Sequence, residues 1–131
     1  MKTQFKLPVL ALLTLLTLLM VGCKSKTKAE QIQGKWNFVS ITNLNTMTVE
    51  KIPMNTSMSM EFGKDSVAIA ENRNGSSHSE NWHWSIVGDT TLEIMQDGKM
   101  FNSLKLVGLN DKSLVLEINI YEPLRWVLER K

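Results

Sequence analysis

The stretch Ser113-Leu-Val-Leu-Glu-Ile-Asn-Ile-Tyr121 decides the fold. Leu114, Leu116, Ile118 and Ile120 fall on one face, while Glu117 and Asn119 fall on the other. Side chains alternate across a β-strand, so this pattern makes a strand with one face in a core and one in water. The same alternation recurs along the chain. Met58, Met60 and Phe62 alternate with Ser59 and Glu61, and Trp82, Trp84 and Ile86 alternate with His83 and Ser85. Val67 with Ile69, Leu92 with Ile94, Leu104 with Leu106, and Leu124 with Trp126 and Leu128 complete the set. Turn-forming strings separate the runs: Phe62-Gly-Lys-Asp65, Arg73-Asn-Gly-Ser76, Val87-Gly-Asp89, Gln96-Asp-Gly-Lys99 and Leu109-Asn-Asp-Lys112. Asn74-Gly75 and Asp97-Gly98 suit the two-residue primed turns whose twist matches that of a hairpin. Many short strands, each with one apolar face, predict an all-β domain, an antiparallel barrel or sandwich. Met47 to Ile52 lacks a clean pattern and reads as a weak strand or part of a long first loop.

The N-terminus is of a different kind. Lys2 and Lys6 precede an apolar run from Leu7 to Val21, interrupted only by Pro8, Thr14 and Thr17, and Gly22-Cys23 close it. These are the three parts of a secretory signal peptide. The run falls short of the roughly 20 residues that span a bilayer. Leu19-Met20-Val21-Gly22-Cys23 resembles the bacterial lipoprotein processing box, with Met20 where the box usually has Leu. The resemblance implies that residues 1–22 are removed and that Cys23 becomes a lipidated N-terminus. One acyl chain binds a membrane marginally, whereas two or more hold firmly. Cys23 is the only cysteine, so lipidation leaves no thiol for a disulfide, a nucleophile or a Cys-based metal site.

Residues 23–30 then form the lipidated cysteine and a basic tether, in which Lys24, Lys26 and Lys28 can each gain about 1 kcal/mol near anionic headgroups. No acidic run resembling a surface-export signal follows the cysteine, and Lys24 differs from an inner-membrane retention Asp. The expectation is a cell-envelope protein on the outer membrane, facing the periplasm. The remaining domain, 31–131, holds 10 basic and 12 acidic side chains, about −2. It has no basic footprint for nucleic acid.

Gly34-Lys35-Trp36 is a G-x-W string at the first strand, and Leu128-Glu129-Arg130 ends the last. The pair resembles the signature of the lipocalins and the wider calycin group. More closely, the chain resembles the short lipocalin-like lipoproteins of Bacteroidetes-type bacteria. Trp82-His-Trp84-Ser-Ile-Val-Gly-Asp89 resembles their middle hairpin, and Leu106-Val-Gly-Leu-Asn-Asp-Lys-Ser-Leu114 their penultimate one. The resemblance spans about residues 32–130 and implies an antiparallel up-and-down β-barrel of about eight strands. With an even number of strands the first and last pair antiparallel, so Trp36 meets Arg130. A guanidinium stacked on the indole there contributes about 0.5–2 kcal/mol, and the resemblance implies that this pair closes the barrel bottom.

The inward faces collect almost no titratable group. No H-E-x-x-H, G-x-S-x-G or phosphate-binding glycine loop occurs, and His78 and His83 are assigned to a turn and an outward face. The expectation is a non-enzymatic protein without a cofactor. Two readings of the apolar interior stay open. One is a pocket for a small hydrophobic ligand, bordered by Trp82, Trp84 and Trp126 with Met58 and Met60. The other is a filled core in a structural or protein-interaction module of the envelope, since eight strands leave just enough room for side chains. A third reading takes Met54, Met58 and Met60 as soft thioether ligands for Cu(I). The inward parity of Met58 and Met60 with Phe62 suits core filling instead.

Overall fold

The computed structural model describes residues 26–53 and 55–130. A short helix, α1 (Lys28–Ile32), leads into β1 (Gly34–Asn43), β2 (Thr48–Lys51), β3 (Thr56–Phe62), β4 (Ser66–Arg73) and β5 (Ser76–Val87). Then follow β6 (Thr91–Gln96), β7 (Lys99–Leu109), β8 (Ser113–Asn119) and β9 (Pro123–Arg130). Eight of the strands form a closed antiparallel barrel in the order β1-β3-β4-β5-β6-β7-β8-β9, and β9 pairs back onto β1. The expected up-and-down barrel is therefore present.

The ninth strand does not disturb the closure. Along one edge of β1, Gly34–Asn37 pair with β3, and Ser40–Asn43 pair with β2. The two short ladders share one edge, so β2 is a flap on the barrel wall and not a further stave. All four of its residues are exposed. With no face to bury, Thr48–Lys51 had no reason to carry a clear apolar alternation, and only Ile52 just after them packs partly against the core.

Local chemistry makes the tight hairpins. Asn74-Gly75 joins the paired residues Arg73 and Ser76, and Asp97-Gly98 joins Gln96 and Lys99. Both residues of each turn have positive φ, 52° and 82° in the first and 52° and 77° in the second. Asn or Asp followed by Gly tolerates that geometry at least cost.

Three bulges shift the inward face. On β1, Phe38 opposes Leu128 and Ser40 opposes Val127, which leaves Val39 without an opposite residue. Trp36, Phe38 and Ile41 consequently share the inner face although their spacing changes from two to three. On β7 the register skips Val107, and between Ile94 and Met95 of β6 it skips Phe101. Val39 and Val107 are accordingly exposed. Bulges of this kind add local twist, which an eight-stranded barrel requires to close.

The core comprises Ile32, Trp36, Phe38, Met60, Phe62, Val67, Trp84, Leu92, Ile94, Leu104, Leu106, Leu114, Leu116, Ile118 and Leu128. Ile120 does not join it. β8 ends at Asn119, which pairs with Pro123 across a tight connection, so the alternation stops one step early and Ile120 is 53 % exposed.

At the end where β1 begins and β9 finishes, α1 covers the barrel. Thr27 caps the helix by accepting a hydrogen bond from the Glu30 amide at 3.2 Å. Five residues cannot hold a helix alone. Tertiary contacts hold this one: Ile32 is fully buried, and Lys28 Nζ donates to the Asp89 carbonyl at 2.6 Å. The opposite end, where the Asn74-Gly75 and Asp97-Gly98 turns lie, is the mouth.

Candidate functional site

Trp36 and Arg130 are cross-strand partners, with the guanidinium carbon 4.2 Å from the indole centroid. Trp36 is fully buried, and its Nε1 donates to the Ile32 carbonyl at 2.7 Å. Arg130 lies over it at the solvent boundary. Its Nε donates to the Asp111 carbonyl at 3.0 Å, Nη1 to Gln33 at 2.8 Å and Nη2 to Gln31 at 2.5 Å. One side chain thus fastens α1, the β7–β8 connection and β9. This arrangement is structural closure and leaves no face of the indole for a ligand.

The other tryptophans divide along the barrel axis. Trp84 belongs to the closed half: it is buried, packs edge-on against Phe62 at 5.4 Å, and donates its N–H to the Gly63 carbonyl at 3.1 Å. Met60 is fully buried as the cross-strand partner of Trp36. Nearer the mouth, burial is incomplete. Met58, Ile69, Trp82, Trp126, Ile41 and Leu124 are partly buried and packed against the core. Trp82 stacks at a tilt on Phe101, with centroids 4.6 Å apart. Trp126 packs edge-on against Phe38 at 5.3 Å, and its Nε1 is buried with no hydrogen-bond partner among the described residues. A buried unpaired donor costs about 1–3 kcal/mol.

A lateral opening adds to this half. The β7–β8 ladder runs from Leu109 opposite Leu114 to Lys105 opposite Glu117 and stops there. Above that point the strands diverge around an open cleft of about 320 Å³, lined by Leu44, Leu104, Lys105, Glu117, Ile118 and Pro123 among others. Leu104 and Ile118 belong to the core, so the cleft approaches the interior from the side. Arg125 neutralises Glu117 at its edge, with Nε and Nη2 donating to one carboxylate oxygen at 3.1 and 2.9 Å. The volume lies at the lower limit of small-molecule sites.

His78 is not in a turn. It lies within β5, opposite Glu71 and 3.2 Å from Glu80, because the β4–β5 ladder continues to Arg73 opposite Ser76 before the chain turns at Asn74-Gly75. His83 is exposed and outward. Among the described residues no three His, Cys, Asp or Glu gather closely enough to hold a metal ion. Cys23 and Met54 lie outside the described residues. No described helix is long and apolar enough to cross a membrane.

Sequence reasoning passed over Ile32, Phe38 and Phe101. Ile32 stands four residues before Trp36 and Phe38 two after it, so both carried a signal. Phe101 carried none, because its bulge places it against Trp82 from two strands away. Compared with protein-family models and with curated proteins, the chain gives no match.

Proposed function

We propose that the protein is a non-enzymatic, membrane-tethered, lipocalin-like lipoprotein whose barrel takes a small hydrophobic ligand in its mouth-side half. The observation that carries the ligand is the buried indole N–H of Trp126, which has no hydrogen-bond partner among the described residues, in a barrel half whose apolar side chains Ile41, Met58, Ile69, Trp82 and Leu124 are only partly buried. Rigid apolar faces with one buried donor suit a small molecule that is mostly apolar and bears one acceptor. The closed half is filled and supplies the rigid floor. The anchor rests on the signal-like N-terminus and Cys23, and the envelope location on the residues that follow.

A naphthalene-type probe titrated into the unlipidated chain from Lys24 onward tests the ligand. Tryptophan emission should quench saturably without denaturant. Trp126→Phe keeps the packing but removes the donor; at about 1 kcal/mol per hydrogen bond, affinity for an acceptor-bearing ligand should fall roughly fivefold. His83→Ala, on the outer face, should leave it unchanged. Binding that appears only after denaturant is added would rule out the interior site. That outcome favours the second reading, a filled-core interaction module. Exposed apolar residues near the mouth support that alternative: Met47, Val49, Met100, Phe101, Ile120 and Tyr121.

A further inference from the structure

We infer that the closed end of the barrel is its membrane-facing surface and that the mouth points away from the anchoring bilayer. The inference rests on the proposed lipidation of Cys23. Cys23 and Lys26 are three residue steps apart, with only Lys24 and Ser25 between them, a reach of at most about 11 Å at ~3.6 Å per residue. From Lys26 onward the chain is fastened to the closed end. The Lys26 carbonyl accepts from Gln31 Nε2 at 3.0 Å, Thr27 caps α1, and Ile32 is buried. Arg130 grips the carbonyls of Gln31 and Gln33.

The mouth lies beyond the tether's reach. A stave of seven or eight paired residues, as in β3–β4 and β4–β5, rises about 3.3 Å per residue and tilts by about 40° in a barrel. The two ends are then roughly 20 Å apart. Seating the mouth on the bilayer would need the tether to run that height as well as enter the headgroups. Tether length therefore overrides the attraction that the apolar mouth-side residues Met47, Val49, Met100 and Tyr121 would have for lipid.

The surface presented to the bilayer has matching chemistry. It contains an open recess of about 410 Å³ lined by Lys26, Glu30, Gln31, Gln33, Asp111 and Arg130. Two cations and two carboxylates balance there, which suits the phosphate and ammonium of a zwitterionic headgroup layer. The mouth, with Trp82 and Phe101 near it, opens to the aqueous compartment, so a ligand exchanges with that compartment and not with the anchoring membrane.

Lipidation consumes the only thiol, so introduced cysteines can be labelled singly. Lys64→Cys and Lys112→Cys mark the closed end; Ser76→Cys and Tyr121→Cys mark the mouth. Each labelled full-length lipoprotein is placed in vesicles of ethanolamine and glycerol phospholipids carrying nitroxide-labelled headgroups. Labels at positions 64 and 112 should be quenched several-fold more than those at 76 and 121. Equal quenching at both ends, or stronger quenching at the mouth, overturns the orientation. Intact mass separates the two claims: a chain without acyl groups overturns the anchoring reading itself, together with the orientation that depends on it.

Discussion

Truncating Trp36 tests the closed end most directly. The side chain is fully buried, donates to Ile32 at 2.7 Å, and supports the Arg130 guanidinium at 4.2 Å. Trp36→Ala empties an indole-sized site that Met60 and Arg130, its partners on either side, cannot fill. Emptying such a site costs about 3–5 kcal/mol. That is a large share of the roughly 5–15 kcal/mol that holds an ordinary domain together. Urea unfolding followed by circular dichroism reads the loss. With a slope of about 1–3 kcal/mol/M, the midpoint should fall by about 1 M or more at unchanged slope. Trp36→Phe separates the components: it keeps an aromatic ring under Arg130 but loses the donor to Ile32, so its cost should be well below that of alanine. A change within about 0.5 kcal/mol for alanine is what an exposed residue gives. That result would refute the view that α1, Trp36 and Arg130 form one cooperative plug.

Two further outcomes are expected. Cys23→Ser should leave an unlipidated, uncleaved precursor, whereas the native chain should be released from membranes by detergent and not by salt; a correctly processed soluble Cys23→Ser product would refute the lipoprotein reading. Gly34→Ala should destabilise by about 1–3 kcal/mol from its backbone alone, since φ is +120°. The added Cβ would also stand 2.5 Å from Arg130 Nη1, so the clamp must shift. Chemical denaturation checks this, and a neutral result would show that the Gly34 backbone is not held in that conformation.

The odd strand shows where local reading runs out. Met47 to Ile52 reads from sequence as a weak strand or part of a long first loop, and no residue within it decides between the two. The answer lies in the length of β1, whose ten residues pair with β3 at one end and β2 at the other along the same edge. Ile120 shows the opposite error. Its parity with Ile118 was sound arithmetic, but the chain turns at Asn119 to meet Pro123. His78 likewise had turn-like neighbours in Ser76, Ser77 and Ser79, and only pairing with Glu71 made it a strand residue.

Of the candidate ligand residues, sequence parity placed Trp82, Trp84, Trp126, Met58 and Met60 together, yet it could not rank them along the axis. Height in the barrel depends on register between strands, and register depends on the bulges at Val39, Phe101 and Val107. Trp84 and Met60 were thereby assigned to the floor, and Trp82, Trp126 and Met58 to the half nearer the mouth.

By itself the sequence determined the all-β class, the inward face of most strands and the primed turns at Asn74-Gly75 and Asp97-Gly98. These follow from forces acting between residues one to three positions apart: alternation against water, and the φ that a short turn demands. The tertiary structure alone decided that α1 plugs one end, that β7 and β8 part above Lys105 and Glu117, and that the Trp126 N–H finds no partner among the described residues. Each of those depends on which distant segments share a boundary after the barrel closes, and side-chain volume and backbone register settle that only when all eight staves are in place.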